Sequence, residues 1–324
     1  MTEIRNDKLV TIFGGSGFVG RYLVRQLARR GWRIRVAVRR PDLAGHLQPL
    51  GSVGQIKPIQ ANVRYRDSID AAVRGADAVV NLVGILAQSG RQSFSAVQSY
   101  GAGQIALSAK EHGLDRIVQM SAIGADPDSE SAYARSKAEG EAAVLDTLPA
   151  SVVFRPSILF GPEDAFFNRF AQMARLGPVL PVVGAETRFQ PVFVADVAEA
   201  IALAVEGEAK PGTTYELGGP DVRTFRELMQ LMLEEIDRPN KPIVSLPFGL
   251  ASTLAKLMSV VPNAPLTTDQ VKLLRSDNVV SSAAEADERT FAGLGIAPDT
   301  LAAVLPTYLW RFRPRGEFER QHLA

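Results

Sequence analysis

The chain has 324 residues, 46% of them hydrophobic, which is enough to bury a large core and excludes a disordered protein. Its 36 Lys and Arg residues nearly balance 35 Asp and Glu residues, so the overall charge gives no attraction to nucleic acid. The absence of cysteine excludes disulfides and thiolate chemistry, and three histidines far apart in sequence predict no metal site.

The first elements follow a strand, turn, helix order. Residues 1–8 are polar and lack the apolar core of a secretory signal, so we expect no export. The apolar run from Lys8 to Phe13 predicts a strand. A glycine-rich turn follows, and helical spacing then places four apolar residues on one face, namely Tyr22, Leu23, Leu27 and Ala28.

The rest of the first half alternates strands and helices. Short apolar runs predict strands at Ile34 to Val38, Gln55 to Ile59, Ala78 to Val83 and Arg116 to Met120. Helical patterns lie between and after them, around Ser68 to Arg74, Ser93 to His112 and Ala132 to Asp146. This alternation predicts an α/β fold in which residues 1–150 form a Rossmann domain, a doubly wound parallel sheet.

Beyond Ser151 the alternation becomes less regular. A strand is predicted at Val152 to Arg155, and helices near Phe166 to Leu176, from Asp196, and from Thr224 to Ile236. Prolines separate these pieces and mark loops. We therefore expect residues 151–324 to form a smaller C-terminal α/β lobe, with the chain crossing back to the Rossmann sheet.

An apolar stripe with few charges follows Pro242. Its members share helical spacing and are Phe248, Ala251, Leu254, Ala255, Met258 and Val261. The stripe predicts a core helix of the smaller lobe or, alternatively, a surface that docks on a partner or a membrane face. No uncharged apolar run reaches the roughly 18 residues that span a bilayer, so the protein is expected to be soluble or peripheral.

The C-terminal tail allows two similar interpretations. Trp310 and Phe312 alternate with three arginines, namely Arg311, Arg313 and Arg315. Mixed aromatic and guanidinium surfaces are enriched where proteins bind partners, which favours docking. The alternative is an ordinary helix from Pro298 that packs Tyr308 and Leu309 into the lobe and leaves its arginines in water.

The glycine-rich turn has the position of a phosphate-binding loop. It comprises seven consecutive residues after the first strand, Gly14, Gly15, Ser16, Gly17, Phe18, Val19 and Gly20. The glycines allow a tight turn and a close approach of backbone N–H groups to a pyrophosphate, and the following helix N-terminus attracts the anion. A purely structural glycine turn is the alternative.

The end of the second strand distinguishes the two nicotinamide dinucleotides. An NAD site has an acidic residue about 20 residues past the glycines, whereas Arg39 and Arg40 stand here. A guanidinium can pair with a 2′-phosphate that a carboxylate would repel, so NADPH is predicted. The alternative is that either arginine simply faces water.

Tyr133 and Lys137 lie four residues apart on a predicted helix and hence on one face. In reductases such a lysine holds ribose hydroxyls and lowers the pKa of the neighbouring phenol, which then exchanges a proton with the substrate. The pair by itself is a weak signal, and its place after the fifth strand strengthens it.

Together these residues resemble the extended short-chain dehydrogenases/reductases. Further stretches carry the resemblance, namely Asn62-Val63 where the family often has Asp-Val, Asn81-Leu82-Val83-Gly84, Arg155-Pro156-Ser157-Ile158-Leu159-Phe160-Gly161-Pro162 and Val192-Phe193-Val194-Ala195-Asp196-Val197. The resemblance implies that the cofactor also contacts Asn62, Val63, Leu82, Val83, Gly84, Ser121, Tyr133, Lys137 and Pro156.

The chain is similar in more detail to an atypical branch, the alpha subcomplex subunit 9 family of respiratory complex I. The matching stretches include Ser121-Ala122-Ile123-Gly124-Ala125, Ser131 to Glu141, Leu266 to Val271 and Tyr308 to Pro314. Members bind NADPH tightly for structure and sit where the peripheral arm meets the membrane arm. The resemblance implies core complex I subunits as partners, contact with lipid headgroups, and a peripheral position on the cytoplasmic side of a bacterial inner membrane or the equivalent matrix side.

One departure from the reductases favours a non-catalytic protein. Active members have a catalytic Ser or Thr one or two positions beyond Ser121, where Ala122 and Ile123 stand. Ser121, Tyr133 and Lys137 are then vestigial candidates. The leading hypothesis is an NADPH-loaded accessory subunit of NADH:ubiquinone oxidoreductase. The alternatives are an active NADP-dependent reductase or epimerase for a quinone-like, isoprenoid or nucleotide-sugar substrate, and a sensor of the NADPH/NADP⁺ ratio.

Overall fold

The structure is a computed structural model that describes residues 7–258 and 266–316. Residues 1–6, part of the segment for which no export signal is predicted, lie outside the described residues, as do Val261 at the end of the apolar stripe and residues 317–324. Among the described residues, no helix has both the length and the hydrophobicity needed to cross a bilayer.

The strands of the described residues are, in chain order, β1 (Leu9–Phe13), β2 (Arg33–Val38), β3 (Ile56–Gln60), β4 (Ala78–Asn81), β5 (Val118–Met120), β6 (Val152–Pro156), β7 (Leu159–Phe160), β8 (Leu180–Val183), β9 (Arg188–Phe189), β10 (Val192–Phe193), β11 (Thr214–Leu217), β12 (Arg223–Thr224) and β13 (Ile243–Leu246). The α-helices are α1 (Phe18–Arg29), α2 (Arg66–Val73), α3 (Tyr100–Glu111), α4 (Ala132–Thr147), α5 (Phe167–Leu176), α6 (Val194–Glu206), α7 (Phe225–Glu235), α8 (Phe248–Met258), α9 (Thr268–Leu273), α10 (Ser282–Ala286), α11 (Leu301–Val304) and α12 (Pro306–Leu309).

A seven-stranded sheet has the order β11-β6-β5-β4-β1-β2-β3, and every neighbouring pair is parallel. The order reverses direction between β1 and β4, which is the doubly wound arrangement. The predicted Rossmann fold is therefore confirmed. The strands in its centre are apolar on both faces because helices cover both, and Val10, Ile12 and Phe13 of β1 are fully buried.

Contacts within the chain group it into two compact units. Unit 1 holds the residues up to Pro156 together with Val194–Leu217 and Ser281–Ala297. Unit 2 holds Ser157–Phe193, Gly218–Val280 and the residues from Pro298. The chain thus returns to unit 1 twice, and the first return supplies α6 and the edge strand β11 of the large sheet.

The predicted helix Ser93 to His112 is present but changes its pitch. A short π-helical turn, Ser95–Ser99, leads directly into α3. Its residues pack against α4 so closely that a Cβ on Gly140 would lie only 2.4 Å from the carbonyl oxygen of Gln98. A π turn inserts one residue into a helix and occurs frequently near functional sites.

Unit 2 contains three two-stranded sheets, β7 with β10, β8 with β13, and β9 with β12. Its core is aromatic, with Phe160, Phe167, Phe189 and Phe225 buried together. Helix α7 begins where predicted because Thr224 and Glu227 form a reciprocal capping box at its N-terminus.

The tail belongs to the core of unit 2. Tyr308 and Leu309 are buried in the aromatic cluster, as the ordinary-helix interpretation expects. Arg311 is exposed and donates to the Pro162 carbonyl and to Asn168 Oδ1 (2.5 and 2.6 Å), whereas Arg313 is buried. These two guanidinium groups thus bind their own chain, and the docking interpretation of the tail stays a prediction.

Helix α8 divides the predicted apolar stripe between two faces. Ala251 and Ala255 are fully buried against Val183 and Val271. Leu254, by contrast, is 42% exposed, and it shares its face with Leu250 at 58% and Leu257 at 71%. Ala251 and Ala255 follow the core interpretation, and the three leucines leave an apolar face open.

Candidate functional site

The glycine turn joins β1 to α1 and is shaped by close backbone contacts. Gly14 has a φ of +78°, and a Cβ there would be 3.3 Å from the backbone of Leu82 and Val83. A Cβ on Gly20 would lie 2.4 Å from the carbonyl oxygen of Gly15, which no side chain can tolerate. Glycine at these two positions is therefore a steric requirement of the turn.

The N-terminus of α1 is open to an anion. Gly17 is its N-cap and supplies no side-chain acceptor, and the first turn carries no acidic residue. The first backbone N–H groups of a helix have no intrahelical partner and carry a partial positive charge. Ser16, Phe18 and Val19 around this end are only half-buried, so these N–H groups can bind a phosphate.

Most of the other candidate residues meet at one edge of the sheet. Because β1 to β6 are parallel, their carboxyl ends share an edge. This edge carries Arg39 and Arg40 after β2, Asn62 and Val63 after β3, Leu82, Val83 and Gly84 after β4, Ser121 after β5 and Pro156 at the end of β6. Val63 also lies at this edge, but its side chain is buried in the hydrophobic core.

The two arginines after β2 have different partners. Arg40 forms an ion pair with Asp42, with 2.8 Å between Nη2 and Oδ2, and both side chains are exposed. Arg39 donates from Nη1 to the amide oxygen of Gln92 at 2.5 Å. A carboxylate beside a guanidinium repels a phosphate, so Arg40 is less suited than Arg39 to bind one. The sequence alone gave no reason to distinguish these two arginines.

Lys137 on α4 is 7% exposed and lies beneath the loop after β4. Its Nζ donates to the Met120 carbonyl at 3.4 Å and would be 3.3 Å from a Cβ on Gly84. Burial lowers the pKa of the Lys137 ammonium to about 8, and Glu141 acts in the opposite direction. An amine with this pKa can donate hydrogen bonds or exchange a proton near neutral pH.

Tyr133 lies one turn before Lys137, as the sequence spacing predicts. Lys137 Nζ is 5.9 Å from the centre of the Tyr133 ring, and Phe94 contacts the ring edge-on at 5.8 Å between ring centres. The tyrosine is half-buried and therefore accessible. The structure thus brings the two predicted residues together on one face of α4.

Ser121 follows β5 directly. Its backbone N–H donates to the Phe154 carbonyl at 2.7 Å, whereas its hydroxyl is buried and has no hydrogen-bond partner among the described residues. An unsatisfied buried hydroxyl costs about 1 to 3 kcal/mol. Such an atom fits a site in which a ligand supplies the missing partner.

Sequence reasoning missed the charged residues behind Lys137. Glu141 is 5% exposed and binds Arg155 through two contacts of Nε, at 2.9 and 3.2 Å, and one of Nη2 at 2.5 Å. Arg155 also lies 3.9 Å from Glu216. The i, i+4 spacing of Lys137 and Glu141 was a signal for the acid, but its arginine partner comes from another element.

The chain is similar to known proteins over most of its length. The model of the NAD dependent epimerase/dehydratase family matches residues 10–218. The NADH dehydrogenase [ubiquinone] 1 alpha subcomplex subunit 9 of Arabidopsis thaliana mitochondria is 37% identical over 321 residues, which cover 95% of this chain and 79% of that protein. A ceramide reductase of Caulobacter vibrioides is 33% identical over 190 residues, 59% of this chain and 58% of that protein.

Solved structures show the same fold at lower identity. A crystal structure of an NADPH-dependent quinone oxidoreductase from Escherichia coli, complexed with NADPH, superimposes with a TM-score of 0.71. The match covers 93% of this chain and 98% of that one, with 19% sequence identity.

Proposed function

Because the chain belongs to the NAD dependent epimerase/dehydratase family, and within it to the relatives of the complex I alpha subcomplex subunit 9, we propose that it is an NADPH-binding, non-catalytic accessory subunit of respiratory complex I. The observation that carries the proposal is the N-terminus of α1, which has no side-chain cap and no acidic residue in its first turn, in a chain similar over 95% of its length to the alpha subcomplex subunit 9 of Arabidopsis thaliana. Its partners are the core subunits of that complex.

The residues present fit a dinucleotide. The turn from Gly14 to Gly20 would hold the pyrophosphate, and Arg39 the 2′-phosphate. Ser121, whose buried hydroxyl lacks a partner, and the ammonium of Lys137 would bind near the nicotinamide ribose. The remaining contacts would come from Asn62, Val63, Leu82, Val83, Gly84, Tyr133 and Pro156. NADPH supplies a hydride in reductases, and here its role is to stabilise the fold.

The cofactor assignment is tested by thermal unfolding. A ligand that binds only the native state adds RT ln(1 + [L]/Kd), about 2.7 kcal/mol at a hundred-fold excess over Kd. We expect NADPH to raise the melting temperature of the wild-type protein. Gly17→Val should abolish this shift, because its methyl groups would block the pyrophosphate, and Gly45→Val is the matched control, since a Cβ at Gly45 meets nothing within 4 Å. An NADPH-dependent shift that persists in Gly17→Val would refute the site.

The non-catalytic role rests on Ala122 and Ile123, which occupy the positions of the reductase Ser or Thr. We expect Tyr133→Phe to leave assembly and function of complex I intact in a strain that depends on this chain. Lys137→Ala should impair both, because the ammonium contributes to cofactor binding. If Tyr133→Phe alone removed a measurable NADPH-dependent reduction, the protein would be an enzyme.

The docking surface that we propose is the open face of α8, formed by Leu250, Leu254 and Leu257. Three exposed leucines on one helix face form an apolar patch, and the only charge of the helix is Lys256. Such a face suits the boundary between protein and lipid headgroups. The chain would then be peripheral, on the cytoplasmic side of a bacterial inner membrane or on the matrix side of the mitochondrial one.

Charge substitutions on α8 test this surface. Leu250→Asp and Leu257→Asp should each weaken comigration with complex I on a native gel, because an exposed carboxylate cannot enter an apolar contact. Thr253→Asp, at an exposed polar position of the same helix, is the control. Comigration of both leucine variants at full occupancy would show that the complex docks elsewhere.

A second candidate function is an active NADP-dependent oxidoreductase. It is favoured by the joint presence of Ser121, Tyr133 and Lys137 and by the similarity to a ceramide reductase. The two functions differ in one measurement, because an enzyme oxidises NADPH in proportion to added carbonyl or quinone substrate. A panel of quinone, keto-lipid and nucleotide-sugar substrates without any turnover would leave the accessory role.

A further inference from the structure

Three arginines follow the ends of β2 and β3, at the edge that carries the glycine turn. These strands are adjacent in the sheet, with Val38 opposite Gln60, so Arg39, Arg40 and Arg64 leave neighbouring strand ends. Among the described residues, Arg40 alone of the three is paired with a carboxylate. Arg39 and Arg64 thus have no carboxylate partner among the described residues, and they lie at the same sheet edge as the proposed phosphate site.

Both uncompensated guanidinium groups are held by the same short turn after β4. Ser89 and Gln92 exchange backbone hydrogen bonds of 3.1 and 3.0 Å, which closes the turn. The side chain of Gln92 accepts from Arg39 at 2.5 Å, and the carbonyl of Arg91 accepts from Arg64 Nη1 at 3.0 Å. Two guanidinium groups are therefore brought to adjacent residues of one turn.

Arg64 is fixed at more than one point. Its Nε lies 3.4 Å from Asn62 Oδ1, and its guanidinium lies 5.7 Å from the centre of the Tyr65 ring. Among the described residues its Nη2 makes no hydrogen bond. A guanidinium that is held on one side and free on the other is preorganised for a further acceptor.

The holding groups are neutral. An amide oxygen or a backbone carbonyl orients a guanidinium without cancelling its charge, whereas Asp42 cancels the charge of Arg40 and would repel an anion. Two like charges held near each other are unfavourable unless an anion binds between them. The arrangement thus suits a dianionic phosphate, which accepts charge-assisted hydrogen bonds from two arginines at once.

We propose that Arg39 and Arg64, positioned by the turn Ser89–Gln92, together recognise the 2′-phosphate of the dinucleotide, and that Arg40 does not. This inference rests on the proposed binding of NADPH and names the residues that distinguish it from NADH. The sequence pointed to Arg39 and Arg40 because they are neighbours. The fold replaces Arg40 by Arg64, because a residue 24 positions beyond Arg40 returns to the same edge.

Calorimetry with NADPH and NADH in parallel tests the proposal. Arg39→Gln and Arg64→Gln should each weaken NADPH about ten-fold or more, because each removes a charge-assisted hydrogen bond, and should leave NADH within about two-fold. Arg40→Gln combined with Asp42→Asn, which removes the ion pair without leaving an unpaired carboxylate, is the matched control and should change neither affinity by more than about two-fold. Thermal unfolding without nucleotide checks that each variant is folded.

Gln92→Glu gives a test that does not depend on removing a contact. The side chains have the same shape, so the acceptor for Arg39 is retained while a negative charge enters the phosphate site. We expect a loss of NADPH affinity of about ten-fold or more with little change for NADH. This variant keeps the proposal falsifiable if an arginine variant fails to fold.

The outcomes are distinguishable. Equal losses for both nucleotides in Arg64→Gln, or an NADPH-specific loss in the control that combines Arg40→Gln with Asp42→Asn, would overturn the assignment while leaving NADPH binding in place. A wild-type protein that binds neither nucleotide, or prefers NADH, would overturn the proposed function and this inference with it. NADPH-specific losses in Arg39→Gln, Arg64→Gln and Gln92→Glu, with the combined Arg40→Gln and Asp42→Asn control unaffected, would support both.

Discussion

We expect the Lys137 ammonium to strengthen the binding of NADPH and to destabilise the nucleotide-free protein. Its side chain is buried, and its ammonium makes one long hydrogen bond of 3.4 Å to the Met120 carbonyl. Burial disfavours the charged form, which is why the pKa falls from 10.5 to about 8. Lys137→Met keeps the length and removes the charge. Glu141 stays paired with Arg155 in this variant, so no new unpaired charge is created.

The size and sign of the effect follow from the pKa. A fall from 10.5 to about 8 corresponds to about 3 kcal/mol of destabilisation wherever the lysine is protonated in both states, which is the range below pH 8. Between pH 8 and 10.5 the unfolded state binds more protons than the folded state, so stability rises with pH and the cost disappears. Allowing about 1 kcal/mol for the lost hydrogen bond, the Lys137→Met variant should be about 2 kcal/mol more stable at pH 7.

The assay is urea unfolding of nucleotide-free protein at several pH values from 7 to 10. The advantage of Lys137→Met over wild type should shrink as the pH rises above 8, and calorimetry should show at least a ten-fold loss of NADPH affinity. Lys110→Met, at an exposed position of α3, is the control and should show neither change. A variant that is less stable than wild type at pH 7, or whose stability difference is independent of pH, would refute the reasoning.

Two further predictions concern stability. Burial raises the pKa of Asp164, and the Tyr308 hydroxyl, which donates to its Oδ2 at 2.6 Å, opposes that rise. Tyr308→Phe should therefore lower the free energy of unfolding by about 1.5 to 3 kcal/mol at a pH where the Asp164 carboxylate is ionised. The loss should become smaller as the pH falls and the carboxylate is protonated. Hydrogen exchange in unit 2 measures this cost, and a loss no larger than that of Tyr215→Phe, which removes a neutral bond to a backbone N–H in unit 1, would contradict it. Gly20→Ala should abolish NADPH binding and lower the melting temperature, because its Cβ would lie 2.4 Å from a backbone carbonyl oxygen. Gly45→Ala, with open space around it, should do neither. If the two variants had the same melting temperature and the same NADPH affinity, the turn could relax around the added methyl group.

The local patterns of the sequence were sufficient for the elements of the large sheet. The runs predicted for β1 to β5 lie within about two residues of their observed ends, and the glycine turn joins β1 to α1 as expected. These features depend on neighbouring residues: apolar runs favour buried strands, and the positive φ of Gly14 favours glycine. The spacing of Tyr133 and Lys137 likewise fixed their common face, because helix geometry relates residues four apart.

Contacts between distant residues could not be obtained in this way. The sequence places Arg311 and Arg313 in a tail of mixed aromatic and arginine residues, but unit 2 supplies acceptors for both from residues more than 70 positions away. The same holds for the arginine partner of the buried Glu141 and for the unsatisfied hydroxyl of Ser121. Each depends on which elements meet, which a single stretch of sequence does not record.

The sequence by itself determined that this protein has a doubly wound sheet with a glycine-rich turn after its first strand, because both arise from local periodicity and from backbone conformations that only glycine adopts readily. The tertiary structure alone decided which charges remain available for a ligand. Arg40 is paired with Asp42, whereas Arg39 and Arg64 donate to neutral acceptors on the turn that ends at Gln92. The physical reason is that electrostatic recognition depends on distances between side chains, and folding sets those distances through strand order and loop contacts rather than through spacing along the chain.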